Sequence, residues 1–430
     1  MKKIVLIALP ALALIASCSK TEIIPAQTAS QQIAFTPLNG KLSTKAMING
    51  TTYATNDPSF GSLAYYLEAG KTWNADMASA SLYVPIDEVK HNATANTWTT
   101  DTPYYWPKTG GVTFFAWSPY NYQDAGAGVI SVKRPVDTNK KELNDGIVIA
   151  DYDVDAHQLT DLMVADVTKS KNQLKNTDAN TGVNTSTYKG VPIVFQHKLS
   201  QIDSINIYTV KSDENNELKE YDYANKHDGT TGKEYKAGDV VFKLKNVSIN
   251  LLNTKGTFTY AATNTDTPTS VWSDQGTPKD AYVWYNYEAD NLVNSVAEPE
   301  NFLNNTRFKL SFNNNHEANA NDYLLVLPQP LNANDANTVY GGTSNTATKP
   351  YLHLEYQVLT YTDANNYATE NVTENVDLYT IHNTVTASTI EIAQNKKITY
   401  NIQINLENRQ IYWAPSVVDW EAQSFTYTIE

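Results

Sequence analysis

The sequence of 430 residues contains a single cysteine, Cys18. One thiol cannot form a disulfide within the chain, so the fold must be stabilised by apolar burial and by backbone hydrogen bonds. Zinc sites built from several cysteine ligands are excluded for the same reason. A role for Cys18 must therefore be sought in the segment around it.

Charged residues are also scarce, at 18% of the chain, and acidic residues outnumber basic ones by 46 to 32. The formal net charge is −14, and it becomes −16 when Lys2 and Lys3 are removed together with residues 1–17. An acidic surface repels phosphate backbones. We therefore expect no nucleic acid among the partners.

The motifs of common active sites are missing. The seven histidines are too far apart in sequence to place two metal ligands on one element, and neither HExxH nor GxSxG occurs. Asp151, Asp153 and Asp155 have the spacing of a calcium loop. Ala156 replaces the turn glycine of such a loop, and Leu162 replaces its closing glutamate. We expect a solvated acidic loop, no metal, no cofactor and no enzymatic activity. Two carboxylates brought together only by folding, as in a secreted hydrolase, remain an alternative.

The first 17 residues have the features of an export signal. Two lysines are followed by an uncharged and mostly apolar run, residues 4–17, which Pro10 interrupts. The run is shorter than the ~20 apolar residues of a membrane-spanning helix, so export is favoured over spanning. We predict a signal peptide over residues 1–17.

The end of this signal contains a lipidation motif. In LIASCSK, a large residue and two small residues precede the cysteine, and this order resembles the lipobox of bacterial lipoproteins. The resemblance implies cleavage between Ser17 and Cys18, and acylation of the Cys18 thiol with chains such as palmitate. Two or more acyl chains anchor a protein stably, so Cys18 is expected to hold it to outer-membrane lipid. Residues 18–32 are interpreted as a tether.

The rest of the sequence has the pattern of β-strands. Tyrosine contributes 28 residues, apolar residues alternate with polar ones, and no helical stripe occurs outside the signal. One of the clearest alternations is formed by Ile398, Tyr400, Ile402, Ile404 and Leu406. A polar stretch over residues 168–190 interrupts the pattern. We predict an all-β protein with two antiparallel β-sandwich domains in tandem, over residues 33–188 and 189–430.

Six motifs in a fixed order resemble the fimbrillin family. They are FGSLAYYL (60–67), YYWPKTGGVTFFAWSPY (104–120), DLMVADV (161–167), VPIVFQHKLSQI (191–202), LLVLPQPL (324–331) and VVDWE (417–421). Members of that family are subunits of type V pili, or relatives that cap or anchor such pili, in Gram-negative bacteria of the gut and mouth. The resemblance implies transthyretin-like sandwich domains and delivery to the cell surface. It also implies assembly with other copies, or with paralogous pilus subunits, into an adhesive fimbria.

Assembly in that family begins when a protease removes the N-terminus together with the first strand, and a strand from another subunit fills the groove. The strand to be lost here contains Ile33 and Phe35. The Thr-Arg-Ala-like cleavage site of the family is replaced by Thr44, Lys45 and Ala46, so arginine-specific trimming is not implied. The Lys45–Ala46 bond is the best candidate for cleavage. A different site, or no cleavage, stays open.

The C-terminal sequence QSFTYTIE has the pattern of a donor strand. Phe425, Tyr427 and Ile429 fall on one side of such a strand and repeat the spacing of Ile33 and Phe35. The alternative is an ordinary last strand of the second domain that pairs within its own subunit.

A second interpretation of the whole chain is a surface glycan-binding lipoprotein of the outer membrane. The aromatic clusters at residues 104–106 and 282–287 could stack on sugar rings, although such residues more often line β-sheet cores. The structural subunit of a pilus is the favoured interpretation.

Overall fold

The computed structural model describes residues 32–39, 59–95, 97–120, 130–157, 161–171, 190–221, 235–261, 269–286, 307–312, 323–331, 349–378, 391–409 and 411–420. These residues form strands almost throughout, with one short helix, α1 (Trp73–Asp76), followed by a 3-10 turn (Met77–Ser79). The prediction of an all-β protein is confirmed. No helix among the described residues is both long enough and apolar enough to cross a membrane.

The first half of the strands, in chain order, is β1 (Phe35–Asn39), β2 (Ser59–Leu67), β3 (Ser81–Asn92), β4 (Thr97–Thr100), β5 (Gly111–Ser118), β6 (Val132–Lys133), β7 (Gly146–Asp153), β8 (Met163–Ala165), β9 (Thr168–Lys171), β10 (Val191–His197), β11 (Ser200–Ser212) and β12 (Leu218–Glu220). The second half is β13 (Val240–Asn250), β14 (Asn253–Ala261), β15 (Thr269–Pro278), β16 (Tyr282–Asn286), β17 (Arg307–Leu310), β18 (Leu324–Val326), β19 (Gln329–Pro330), β20 (Tyr351–Tyr361), β21 (Tyr367–Asp377), β22 (Glu391–Ile392), β23 (Lys396–Asn405) and β24 (Ile411–Asp419).

The first sheet closes on itself. Its strands follow the order β2-β3-β4-β1-β10-β8-β5, and β5 pairs back with β2. We call this closed sheet the N-terminal barrel; β9 is attached to it through β5. Its interior is filled by alternate side chains such as Phe60, Phe114, Ile193 and Phe195.

A second sheet covers the outer face of β2 and β5. Its order is β15-β14-β7-β6, and its Ile149 and Phe258 share one apolar core with Leu63 and Phe115 of the barrel. Because β2 and β5 are buried on both faces, their sequences are almost continuously apolar. This explains why FGSLAYYL and VTFFAW stand out in the sequence.

The remaining large sheets form a sandwich. One sheet has the order β12-β11-β23-β24, with β17 and β18 also paired to β11, and the other has the order β16-β13-β20-β21. Their shared core contains Ile205, Leu244, Tyr356 and Ile402. The predicted alternation over residues 398–406 corresponds to β23, in which every second side chain is buried as expected.

Two pairings were not anticipated from the sequence. The strand pairs β1–β10 and β11–β23 are parallel, whereas most other pairs are antiparallel. Pairing also crosses the boundary predicted at residue 189, since β1 pairs with β10 and β7 pairs with β14. The division into residues 33–188 and 189–430 stays a prediction.

Candidate functional site

The candidate site is the position of β1 in the N-terminal barrel. On one side β1 runs parallel to β10, in a register that extends from Phe35↔Val191 to Asn39↔Phe195. On its other side it meets β4 only at Phe35↔Trp98. Without β1 the barrel would be open between β4 and β10. We call this position the β1 slot.

Backbone hydrogen bonds also hold the residues just before β1. The Ile33 N–H donates to the Tyr104 carbonyl oxygen at 2.7 Å, and the Val191 N–H donates to the Ala34 carbonyl oxygen at 2.7 Å. Gln32 forms an antiparallel bridge with Tyr105. The end of the β1 slot near Gln32 is therefore lined by the Tyr104–Tyr105 segment.

Every second side chain is buried from Ile33, just before β1, to Pro37. Ile33 is 1% exposed and Phe35 is 4% exposed, and Pro37 is buried too. The Phe35 ring meets Phe60 at 5.8 Å and Phe114 at 5.6 Å between centroids, with both pairs edge to face. Burial of each large apolar side chain contributes about 1.5 to 3 kcal/mol, so Ile33 and Phe35 stabilise the attachment of this segment to the barrel.

Gly190 permits the close approach of β10 to β1. A Cβ atom at this position would lie 2.6 Å from the Ala34 carbonyl oxygen. Real Cβ atoms do not come so close to backbone atoms, so any larger residue would push the two strands apart. The glycine just before VPIVFQH is thus part of the β1 slot.

Every site residue predicted from the sequence lies outside the described residues. This applies to Ser17 and Cys18, to Lys45 and Ala46, and to Phe425, Tyr427 and Ile429. The Lys45–Ala46 bond belongs to the connection between β1 and β2, and the donor candidate directly follows Trp420. Signal cleavage, lipidation, maturation and donor role all stay predictions.

The structure does describe the residue from which the C-terminal segment departs. Trp420 is 5% exposed, and its ring stacks on His197 at 4.2 Å with an angle of 3° between the planes. The His197 Nδ1 lies 2.5 Å from Asp161 Oδ2. The Trp420 N–H donates to the Asn395 carbonyl oxygen at 2.8 Å. We call Trp420, His197 and Asp161 the Trp420 clamp. Its members are far apart in the chain, so no local sequence pattern indicates it.

The Trp420 clamp and Tyr105 lie at opposite ends of the barrel. His197 ends β10, two residues beyond Phe195, which is the partner of Asn39. Tyr105 pairs with Gln32, before the start of β1. Trp420 therefore lies towards the Asn39 end of the β1 slot.

Most of the aromatic residues considered for sugar stacking are buried. Trp106 is 8% exposed and packs against Phe114, while Tyr282 and Trp284 are 3% and 6% exposed within the sandwich core. Tyr105 is different, at 48% exposed. The glycan-binding interpretation thus loses most of its proposed platform.

The acidic loop at residues 151–157 is paired with lysines. Lys255 Nζ lies 3.3 Å from Asp153, and Lys279 Nζ donates to both oxygens of Asp155 at 2.9 and 2.8 Å. These pairs hold β7 to the region of β14–β16. In the described part of the chain, no cluster of acidic, histidine or cysteine side chains has the arrangement of a metal site.

Comparison with known proteins identifies a related fold. No protein-family model matches the sequence, and no curated protein matches it in a sequence search. Among solved structures, a fimbrial protein from Bacteroides vulgatus is similar over 90% of this chain and 99% of its own, with a TM-score of 0.50 and 16% identity. The fold resembles that of a fimbrial protein.

Two further structures align over similar lengths. A candidate cell adhesion protein from Parabacteroides distasonis covers 91% of this chain and 97% of its own, with a TM-score of 0.40 and 11% identity. The tip fimbrial protein Mfa3 from Porphyromonas gingivalis, with a C-terminal truncation, covers 85% and 94%, with a TM-score of 0.35 and 8% identity. The fimbrial fold is thus assigned from the Bacteroides vulgatus protein, and the likeness concerns the fold alone.

Proposed function

We propose that this protein is the structural subunit of a cell-surface pilus, which assembles by exchange of its first strand and contributes to adhesion. It is exported as a lipoprotein precursor acylated at Cys18, and cleavage between β1 and β2, best at Lys45–Ala46, releases it from the lipid. The partners are other copies or paralogous subunits. The observation that carries the proposal is the place of β1 in the barrel.

β1 is suited to removal because it is the first described strand and closes the barrel alone. Its loss would expose the unpaired backbone of β10 beside an apolar trench lined by Phe60, Phe114 and Phe195. Such an edge accepts an incoming strand, which restores the backbone hydrogen bonds and refills the trench.

The C-terminal segment has side chains that suit this trench. Phe425, Tyr427 and Ile429 have the same spacing as the buried Ile33, Phe35 and Pro37. Each of them would contribute about 1.5 to 3 kcal/mol on full burial. A slip by one residue would turn all three towards water, so the register of the exchanged strand is defined.

Deletion of residues 422–430 tests this function. We expect folded, soluble monomers that give no ladder of polymers on unboiled gels, because the donor is absent while both sheets of the C-terminal sandwich are intact. A Thr426→Ser, Thr428→Ser double variant alters the opposite face of the strand and serves as the matched control with a normal ladder. Polymers of normal length from the truncated protein would eliminate the donor role. An aggregated truncated protein would instead indicate an ordinary last strand.

A further inference from the structure

Three tyrosines lie together at the end of the C-terminal sandwich where β20 turns into β21. Tyr361 and Tyr367 are paired across this hairpin, and their ring centroids are 5.2 Å apart. Tyr235, from the segment before β13, stacks on Tyr361 at 3.9 Å with an angle of 15° between the planes. We call these three residues the tyrosine cluster. None of them belongs to the aromatic clusters at residues 104–106 and 282–287.

The tyrosine cluster lies on the outer face of its sheet. The sandwich core receives every second side chain of β20, namely Leu352, Leu354, Tyr356 and Val358. Tyr361 alternates with these residues and thus lies on the opposite face of the strand. Tyr367 is 51% exposed, whereas Tyr235 and Tyr361 are half-buried. The cluster is therefore open to solvent at Tyr367 and does not belong to the core.

A tight turn before β13 fixes Tyr235 against Tyr361. The Lys236 N–H donates to Asp239 Oδ2 at 2.8 Å, which closes the turn. The Gly238 N–H donates to the Tyr361 carbonyl oxygen, and the Tyr361 N–H donates to the Asp239 carbonyl oxygen, both at 2.8 Å. The turn is thus bonded directly to the residue on which Tyr235 stacks.

The turn of the β20–β21 hairpin fixes Tyr367 in the same way. The Thr362 N–H donates to the Asn366 carbonyl oxygen at 2.8 Å. Asp363 accepts hydrogen bonds from the Asn366 N–H at 2.9 Å and from Asn366 Nδ2 at 2.8 Å. The backbone on both sides of the tyrosine cluster is therefore held before a ligand binds, so binding loses little conformational entropy.

A row of polar side chains continues from Tyr367 along the same face. Thr369, Asn371 and Thr373 alternate with the inward-facing residues of β21 and are exposed. Gln357 of β20 lies opposite Asn371, and its Nε2 donates to Asn371 Oδ1 at 2.7 Å. This bond uses one polar atom of each amide, so the other atom of each can hydrogen-bond to a ligand. We call these four residues the polar row, and from Tyr367 to Thr373 it extends about 20 Å.

Aromatic rings beside a polar row suit the chemistry of a saccharide. The C–H groups of a sugar ring pack on the face of an aromatic side chain, and its hydroxyl groups donate and accept hydrogen bonds, as amide and hydroxyl side chains do. A stable protein partner instead covers about 800 Å² around an apolar centre. Here polar side chains begin directly beside the three rings, so the surface favours a sugar over a protein.

We infer that the outer face of the β20–β21 hairpin is a binding site for an oligosaccharide. One sugar ring stacks on Tyr367 beside Tyr361. The following rings lie along the polar row, where their hydroxyl groups bond to Gln357, Asn371 and the threonines. The inference rests on the adhesive part of the proposed function, for which it names the class of ligand, and it does not depend on strand exchange.

Binding of the unlipidated precursor to an array of mammalian and microbial glycans tests the site. We expect at least one oligosaccharide to bind, and its affinity is then measured by calorimetric titration. Tyr367→Ala should weaken that affinity about tenfold or more, because the stacked ring is lost. Tyr105→Ala is the matched control, since Tyr105 is 48% exposed and lies outside the tyrosine cluster, and it should leave the affinity unchanged. Circular dichroism verifies that both variants are folded.

Two further variants separate ring stacking from general apolar contact. Tyr367→Phe keeps the aromatic face and should keep most of the affinity. Tyr367→Leu keeps an apolar side chain without a ring and should bind as weakly as Tyr367→Ala. Unweakened binding by the leucine or alanine variant would overturn the inference, and so would a precursor that binds no glycan of the array.

Unboiled gels of the same proteins keep this result separate from assembly. Tyr367→Ala should form polymers of normal length, because the tyrosine cluster lies on the sandwich and the β1 slot lies in the barrel. A variant that loses polymers together with glycan binding would assign the tyrosine cluster to assembly and overturn the inference. Absence of polymers from the unaltered chain, with glycan binding intact, would contradict the proposed assembly instead.

Discussion

At the scale of one residue, Phe35 is buried in the precursor, and we expect it to be lost together with β1 on maturation. Its ring is held edge to face between Phe60 and Phe114, at the centre of the barrel core. In the proposed fibre this position belongs to Tyr427 of another subunit. The contribution of Phe35 to stability should therefore exist before maturation and disappear afterwards.

Phe35→Ala is expected to lower the free energy of unfolding of the precursor by about 3 to 5 kcal/mol, as for other buried phenylalanines. The stability of assembled fibres that carry the same substitution should be unchanged. Denaturant titration of the unlipidated precursor and of fibres measures both quantities. Thr36→Ala, on the other face of β1, is the control and should change neither by more than about 0.5 kcal/mol. Fibres destabilised to the same extent as the precursor would show that β1 is retained.

The contacts within the Trp420 clamp could not be predicted from the sequence. Trp420 belongs to the motif VVDWE and His197 to VPIVFQH, and neither motif indicates contact with the other. Their stacking depends on how β10 and β24 are placed by sheets that share no local pattern. Cys18, in contrast, could be interpreted from its neighbours alone, because a lipidation motif is local.

At the scale of secondary-structure elements, the proposed strand exchange depends on the pairing of β1 with β10. Individual strands could be predicted well: β23 has its apolar face where the alternation over residues 398–406 placed it. The parallel pairing of β1 with β10 could not be predicted from the sequence. Alternation shows which side chains share a face of a strand, but it does not show which strand lies beside it. The approach of these two strands requires a glycine at position 190.

Gly190→Ala should weaken the β1–β10 pair. Its Cβ would meet the backbone of Ala34, which cannot move without breaking the hydrogen bond from Val191. Overpacking of this kind costs about 1 to 3 kcal/mol of unfolding free energy, which chemical denaturation of the precursor measures. Gly276→Ala is the matched control, because nothing lies within 4 Å of its added Cβ. Equal effects from the two substitutions would refute the close approach.

At the scale of the whole molecule, buried tyrosines make the stability of the fold sensitive to alkaline pH. Burial raises the pKa of Tyr65 to about 12, with Arg134 and its hydrogen bond opposing the shift. Burial likewise raises the pKa of Tyr260, Tyr282, Tyr323, Tyr356 and Tyr400. The folded protein therefore holds these protons more tightly than the unfolded chain, whose tyrosines ionise near pH ~10.

This stabilisation is complete below pH ~10 and is lost as the pH rises through the higher folded pKa values. We expect alkaline unfolding in which the exposed tyrosines ionise first, and the tyrosinate absorbance of the buried ones appears together with loss of the circular dichroism signal. The chain unfolded in urea is the control and should titrate near pH ~10. Full ionisation of the tyrosines near that pH with an intact fold would contradict the burial of their hydroxyl groups.

The central claim is that the protein polymerises by giving up β1, and the N-terminal residue of the subunit in purified fibres tests it most directly. Mass spectrometry of fibres sheared from intact cells identifies that residue, with the unassembled precursor as the control. We expect a start within residues 40–58, between β1 and β2, with Ala46 as the best single position. A start upstream of Ile33, or an acylated Cys18 still attached to the subunit, would contradict it.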